Sequence, residues 1–200
     1  MTNKKNDNRP FWRKHLSNIL FVLFLAWMII FPKNPVRIWM TEAMGFLRTQ
    51  VESFELDKDE QYTFTPKDYR WQLVDLQGNP VRFSEFKEKT VLINAWATWC
   101  PPCVAELPSL EKLYRDYGQK TVFIFLAEDR PAKVETFLQQ KNLQIPVYFS
   151  YTNRPPMLAT RSIPTTFIID KKGVIRVRKT GAMDWNTRKI RKLLDKLNAE

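Results

Sequence analysis

The stretch Trp96-Ala97-Thr98-Trp99-Cys100-Pro101-Pro102-Cys103 contains both cysteines of the 200-residue chain. A disulfide across so short a loop removes little unfolded-state entropy compared with one joining distant segments, so it makes a poor structural staple. Two thiols at this spacing suit a pair that opens and closes. Upstream, Val91 to Ala97 (VLINAWA) is nearly continuous apolar sequence, the pattern of a strand buried on both faces. Downstream, VAELPSLEKLYRDYG has helical spacing, stops at Gly118 and carries Pro108 as an expected kink. The cysteines therefore sit where a buried strand turns into a helix.

That position assigns roles. A dithiol that exchanges with other disulfides needs one exposed, partly ionised thiol and a second close enough to displace it from a mixed disulfide. At a helix start, backbone N–H groups and the helix dipole favour a thiolate, which marks Cys100 as the attacking thiol. Cys103, one helical turn on and further inside, is the resolving thiol. Pro101 and Pro102 lack N–H groups that a first helical turn does not use, and they stiffen the loop. The other common use of C-x-x-C is half of a zinc site, which wants four ligands. The only histidine is His15, placed by its position across the membrane from the cysteines. No metal and no cofactor is called for.

Around this turn the elements alternate. YRWQLVDLQGNPVRF, split by Gln77-Gly78-Asn79-Pro80, predicts a β-hairpin over 69–83, and Ser84-Glu85 predicts a short capped helix. Thr121 to Ala127 reads as a buried strand, Pro131 to about Lys141 as a helix with a first-turn proline, and Val147 to Ser150 as a short strand. Thr165 to Asp170 and Val174 to Lys179, joined by Lys171-Lys172-Gly173, form a second hairpin, and a helix over about 186–198 ends the domain. The expected class is α/β, a mixed sheet with helices on both faces and an N-terminal hairpin extension.

Composition supplies a core, with 44% hydrophobic and 14% aromatic residues, and a net charge of +11 raises nucleic acid or an anionic surface as partners. The C-terminal cations Arg188, Lys189, Arg191, Lys192 and Lys196 lie opposite Ile190, Leu193, Leu194 and Leu197, an amphipathic surface helix whose charged face is solvated. The N-terminus is different. Leu16 to Phe31 (LSNILFVLFLAWMIIF) holds no charge, and Trp12, Arg13 and Lys14 before it and Lys33, Arg37 and Trp39 after it suit the two interfaces of a bilayer. A cleaved signal peptide would end in a small-x-small site, which AWMIIFPKNPV lacks. A soluble core helix would keep a polar face, yet Asn18 is the last polar side chain before Pro32. Residues 16–32 therefore read as a transmembrane anchor. Lys4, Lys5, Arg9, Arg13 and Lys14 outnumber the cations just after the span, which leaves the tail 1–15 in the cytoplasm. The domain then faces the periplasm of a bacterial inner membrane, an oxidising compartment, and this argues against nucleic acid as a partner. Residues 33–63 read as a juxtamembrane amphipathic helix and a polar linker, and 64–200 as the catalytic domain. The amphipathic part either lies on the bilayer or spaces the domain from it.

WCPPC between a buried strand and a helix, with Ile163-Pro164-Thr165 about 60 residues on, resembles the thioredoxin superfamily. The anchor, the run DLQGNPVRFSEFKEKTVLINAWATWCPPCVAELPSLEKL and Gly181 near Trp185 resemble its TlpA-like membrane-anchored members. This resemblance covers about 64–198. It implies a thiol-disulfide oxidoreductase that reduces periplasmic protein disulfides, with apocytochrome, another oxidoreductase or envelope proteins as substrates and an external electron donor. It further implies that Pro164 is cis beside the cysteines, that the Ile163 backbone pairs with an extended substrate strand, and that Trp99, Pro101 and Pro102 form the contact surface. An ordinary trans Pro164 opening a strand is the alternative. Asn94 stands where thioredoxins carry a buried carboxylate, and an amide cannot take a proton. Glu106, one turn beyond Cys103, matches a glutamate of TlpA-like proteins and acts as the base if burial raises its pKa; otherwise it is an exposed helical carboxylate. The competing function is a non-catalytic tethered module that binds extended polypeptides and keeps the disulfide only as a brace.

Overall fold

The computed structural model describes residues 55–56 and 60–200. The tail 1–15, the anchor 16–32 and most of the 33–63 segment lie outside the described residues. Among the described residues no helix is long and apolar enough to cross a membrane.

The strand that leads into the cysteines organises everything else. β3 (Thr90–Trp96) is buried at all seven positions. It pairs in parallel with β4 (Thr121–Ala127) and antiparallel with β6 (Thr165–Ile169), so Leu92 lies between Phe123 and Ile168 while Ile93 lies between Ile124 and Phe167. β5 (Val147–Ser150) continues the parallel part, and β7 (Ile175–Thr180) hairpins back on β6. The hairpin of β1 (Gln72–Asp75) and β2 (Pro80–Arg82) adds to the far edge through β5. The result is one seven-stranded mixed sheet, ordered β2-β1-β5-β4-β3-β6-β7.

Because side chains alternate across a strand, the two faces of β3 and its neighbours feed two separate cores. Leu92, Trp96, Phe123, Phe125, Ile168 and Val177 pack with α1 (Pro101–Tyr117), α2 (Pro131–Lys141) and α3 (Arg188–Ala199). The opposite face, Val91, Ile93, Ile124, Leu126, Phe167 and Ile169, packs with Phe64, Trp71, Phe83 and Leu158. Here the fold departs from the expectation of helices on both faces. All three α-helices supply the first core, and the second is closed by single 3-10 turns at Asp68–Arg70, Phe83–Phe86 and Pro156–Leu158. Aromatic bulk replaces helix length there: the Phe83 ring lies 5.2 Å from Trp71, 5.6 Å from Phe64 and 5.9 Å from Tyr69. Ser84 is correspondingly not a cap. It sits inside the Phe83–Phe86 turn, which has no side-chain cap.

The sheet's outer edge is also covered. The amide of Leu56 donates to the Arg176 carbonyl (2.7 Å), that of Ile175 to Tyr62 (2.8 Å) and that of Phe64 to Gly173 (2.8 Å), so Leu56, Tyr62 and Phe64 occupy groups of β7 and its turn that would otherwise template aggregation. Gly173 takes a left-handed φ of 77° in the β6–β7 turn, where an added Cβ would stand 2.5 Å from the Tyr69 hydroxyl.

Phe83→Ala removes the central ring of the second core and should cost about 3–5 kcal/mol of unfolding free energy, read from urea denaturation. A loss below about 1 kcal/mol would mean that this face tolerates collapse and that the aromatic cluster is not what closes it.

Candidate active site

Cys100 and Cys103 form a disulfide with their Cα atoms 5.3 Å apart. Cys100 is the N-cap of α1 in extended conformation. Its Sγ accepts the Cys103 backbone N–H at 3.3 Å, and Pro101 and Pro102 occupy the first turn. The expectation of an exposed Cys100 is corrected: it is 4% exposed against 0% for Cys103. The loop before β6 comes down on it, bringing the Ile163 carbonyl oxygen to 3.8 Å from Sγ. The Ile163–Pro164 bond is cis. The Pro164 carbonyl accepts the Gly181 N–H at 2.9 Å, tying the loop to the end of β7.

The turn between β3 and the helix is braced from the β4–α2 connection. The Glu128 amide donates to the Trp96 carbonyl at 2.8 Å, and the Thr98 hydroxyl donates to Asp129. That bond, above all, holds the Asp129 carboxyl below its ordinary pKa. Trp96 is wholly buried, whereas Trp99 is 64% exposed. Trp99 borders a groove of about 680 Å³ with Tyr151, Arg161, Ser162 and Ile163. Tyr151 is 73% exposed, and with Trp99 it makes up the exposed large hydrophobic side chains among the described residues.

Glu106 is the second feature of the site. It lies one turn after Cys103 on the apolar face of α1 and is only 2% exposed, so the alternative of an exposed helical carboxylate fails. Its Oε1 accepts Asn94 Nδ2–H at 2.7 Å; its Oε2 accepts Trp185 Nε1–H at 2.9 Å and the Met183 amide at 3.3 Å. Asn94 also donates to Thr166 Oγ1 at 2.8 Å. Burial raises the Glu106 pKa above its ordinary value, against the pull of the bonds from Trp185, Asn94 and Met183, which favour the ion. A second pocket of about 440 Å³ is lined by Glu106, Ser109, Lys112, Met183 and Asp184.

Sequence reasoning missed Trp185 as a partner of Glu106 and Thr166 as a partner of Asn94. Trp185 carries a weak signal, an indole set in the polar run AMDWNTR, since a buried indole N–H needs an acceptor. Among the described residues no cluster of His, Cys, Asp and Glu is arranged to hold a metal.

Comparison with known proteins agrees with this geometry. Residues 59–196 match the Redoxin family. The chain is 33% identical over 138 residues to a thiol-disulfide oxidoreductase ResA of Bacillus cereus, covering 66% of this chain and 77% of that protein. It is 34% identical over 117 residues to the thioredoxin-like protein YneN of Bacillus subtilis, covering 56% and 69%. A crystal structure of a thiol:disulfide interchange protein of the thioredoxin family from Chlorobium tepidum TLS superposes with a TM-score of 0.52 at 23% identity, over 66% of this chain and 99% of that one, which is a likeness of fold.

The buried carboxyl has a consequence for stability. With its native pKa raised above the ordinary 4.5, the folded protein holds a proton through a range in which the unfolded chain releases it. The contribution of Glu106 to stability is therefore complete below that ordinary value and is lost as pH rises through the native one. The denaturation midpoint of the wild type relative to Glu106→Gln should fall as pH rises from about 4 toward neutrality. A difference that stays flat over that range would show that the carboxyl is not destabilised by burial.

Proposed function

The chain belongs to the Redoxin family, within the thioredoxin superfamily, and on that premise we propose that it is a membrane-anchored enzyme that reduces protein disulfides in the bacterial periplasm. That it is a thiol-disulfide oxidoreductase rests on the C-x-x-C pair and on relatives of that activity. The single observation that carries the mechanism is the Cys103 N–H directed at Cys100 Sγ at the start of α1. In the reduced protein the same N–H stabilises a thiolate on Cys100, and the helix dipole adds to it.

The cycle follows from this asymmetry. The Cys100 thiolate attacks one sulfur of a substrate disulfide; the substrate S–S bond breaks, a mixed disulfide forms and the second substrate sulfur leaves as a thiolate. Glu106 takes the proton of the Cys103 thiol, and the Cys103 thiolate attacks Cys100 Sγ. The mixed disulfide breaks, the Cys100–Cys103 disulfide forms and the substrate sulfur that Cys100 had attacked also leaves as a thiolate; with one proton returned by Glu106 and one from solvent, the substrate departs as a dithiol carrying two electrons from the pair. An external dithiol donor then restores the cysteines. Glu106, one helical turn from the resolving thiol, serves this step whichever way the exchange runs: as the base when substrate is reduced and, once protonated, as the acid when Cys103 leaves.

The substrate is read as an extended polypeptide. Its backbone pairs with Ile163 beside Pro164, within reach of Cys100, and its flanking side chains occupy the groove between Trp99 and Tyr151, with Pro101 and Pro102 as the neighbouring surface. Apocytochromes, other oxidoreductases and misoxidised envelope proteins all present such segments. The apolar run 16–31 with its basic N-terminal flank supports anchoring with the domain outside the cytoplasm.

Three measurements test this reading. With a protein disulfide as substrate, Cys100→Ser should abolish thiol production and Cys103→Ser should accumulate a mixed disulfide; an adduct forming on Cys103 in the Cys100→Ser chain would reverse the assignment. The pair should equilibrate with glutathione or dithiothreitol at a potential between roughly −120 and −300 mV, and a value far below that range would favour a bracing disulfide in a polypeptide-binding module. The full chain should sediment with membranes and resist carbonate extraction, and release into the soluble fraction would remove the anchor.

A further inference from the structure

We propose that the side-chain amide of Asn94 turns over when Glu106 takes up a proton, so that Asn94 and Thr166 hold this carboxyl in both of its states. Asn94 is thus a positioning residue that acts through Glu106. The inference deepens the reading of Glu106 as the base and rests on it.

The donor and acceptor inventory around the carboxyl leads there. Oε2 faces the Trp185 indole N–H and the Met183 backbone N–H, and neither group can become an acceptor. A proton arriving on Glu106 is therefore directed to Oε1. The partner of Oε1 among the described residues is Asn94 Nδ2 at 2.7 Å, a donor, so a buried O–H on Oε1 finds no acceptor while the amide keeps this orientation. Asn94 holds the remedy on its own side chain. Its Oδ1 is buried and has no hydrogen-bond partner, while its Nδ2 serves both Glu106 and Thr166.

A half-turn about the Asn94 Cβ–Cγ bond exchanges the two ends of the amide. Oδ1 then accepts the new Glu106 O–H, and the Thr166 hydroxyl, 2.8 Å away, rotates from accepting to donating. One proton enters on Oε1 and no other covalent bond changes. The amide still has one end bonded twice, but the unpartnered end changes from the Oδ1 acceptor to the Nδ2 donors, a cost that the new Glu106 O–H bond to Oδ1 offsets. An aspartate at this position would add a second charge, and an aliphatic residue would leave Oε1 without a partner in either state. The amide that cannot itself take a proton lets its neighbour do so.

The charged and titratable groups that the neighbouring elements bring to this region are few. α1 brings Cys103 and Lys112, the 181–187 connection brings Asp184, and β7 brings Lys179, the register partner of Thr166. The groups bonded to the carboxyl itself are Asn94, Trp185 and Met183.

The test is an NMR titration of the full chain in its disulfide form, where the cysteines do not titrate. The Glu106 carboxyl carbon reports its protonation, and the cross-peak between the Asn94 Nδ2 protons and the Thr166 γ-methyl reports the amide. The cross-peak should be present while Glu106 is ionised and be lost with the same midpoint as the carbon shift. Glu106→Gln, with its own amide donating from the Oε1 position, should lack that cross-peak at every pH. A cross-peak that persists on both sides of the Glu106 midpoint, or in Glu106→Gln, overturns the rotation, as does a carboxyl carbon that never titrates while the fold is intact. The base reading fails separately: in that case Glu106→Gln would resolve the mixed disulfide at the wild-type rate and with the wild-type pH profile.

Discussion

A sulfur at the N-cap of α1 is the constraint on which the molecule turns. Helices are normally begun by serine, threonine, aspartate or asparagine, whose short oxygen-bearing side chains satisfy the first free N–H groups. Here Cys100 does that work through Sγ. The stability of the helix start and the stability of a thiolate thereby become one interaction, strengthened when the sulfur is charged and weakened when it is neutral. A sulfur is a poor cap, so the turn needs support from elsewhere. It comes from a strand buried along its whole length, from the Glu128 amide on the Trp96 carbonyl and from Asp129 on Thr98.

The division of the sheet into two unequal faces follows from the same need. The face that carries Leu92, Trp96 and Ile168 must seat the helix that bears the cysteines, and α2 and α3 join α1 there to make a deep core around Cys103. The other face has no chemistry to position, so 3-10 turns and a cluster of aromatic rings suffice to exclude water. The cysteines lie beyond the carboxyl end of parallel β3, where open α/β sheets place their ligands, and β4 supplies from its own carboxyl end the residues that brace them. The Ile163–Pro164 loop then closes the site from the antiparallel half of the sheet.

What could be read in the sequence was what local pattern controls. The apolar run before the cysteines, the helical spacing after them, the first-turn prolines and the Gly173 turn all follow from neighbours a few residues apart, and β3, α1 and the late hairpin stand where that pattern puts them. The burial of Glu106 was also present in the spacing. Cys103, Glu106, Leu110, Leu113 and Tyr117 recur at three and four residues on one face of α1, and the charge of Glu106 obscured its place in that row. Trp185 was faintly legible and Thr166 not at all, since one meets Glu106 from 79 residues away and the other meets Asn94 from 72, and no periodicity ties them together. The one-sided placement of the α-helices was hidden for a related reason. Whether a short segment closes a face as a helix or as a 3-10 turn depends on the rings it meets in space.

The placement of acid and amide gives the site its own logic. In the thioredoxins that this sequence resembles, the buried carboxylate stands on the strand, at the position of Asn94; here the strand carries the amide and the helix carries the acid. A carboxylate on the strand keeps its distance to the resolving thiol only as well as the helix–sheet packing does. A carboxylate on α1, three residues after Cys103, is fixed to that thiol by the helix itself, whose turn rises only about 5 Å. The carboxyl is tied to the rest of the fold by bonds that cross from the helix to Asn94, Trp185 and Met183. Of those partners the indole and the backbone amide can only donate, and Asn94 alone carries both a donor and an acceptor.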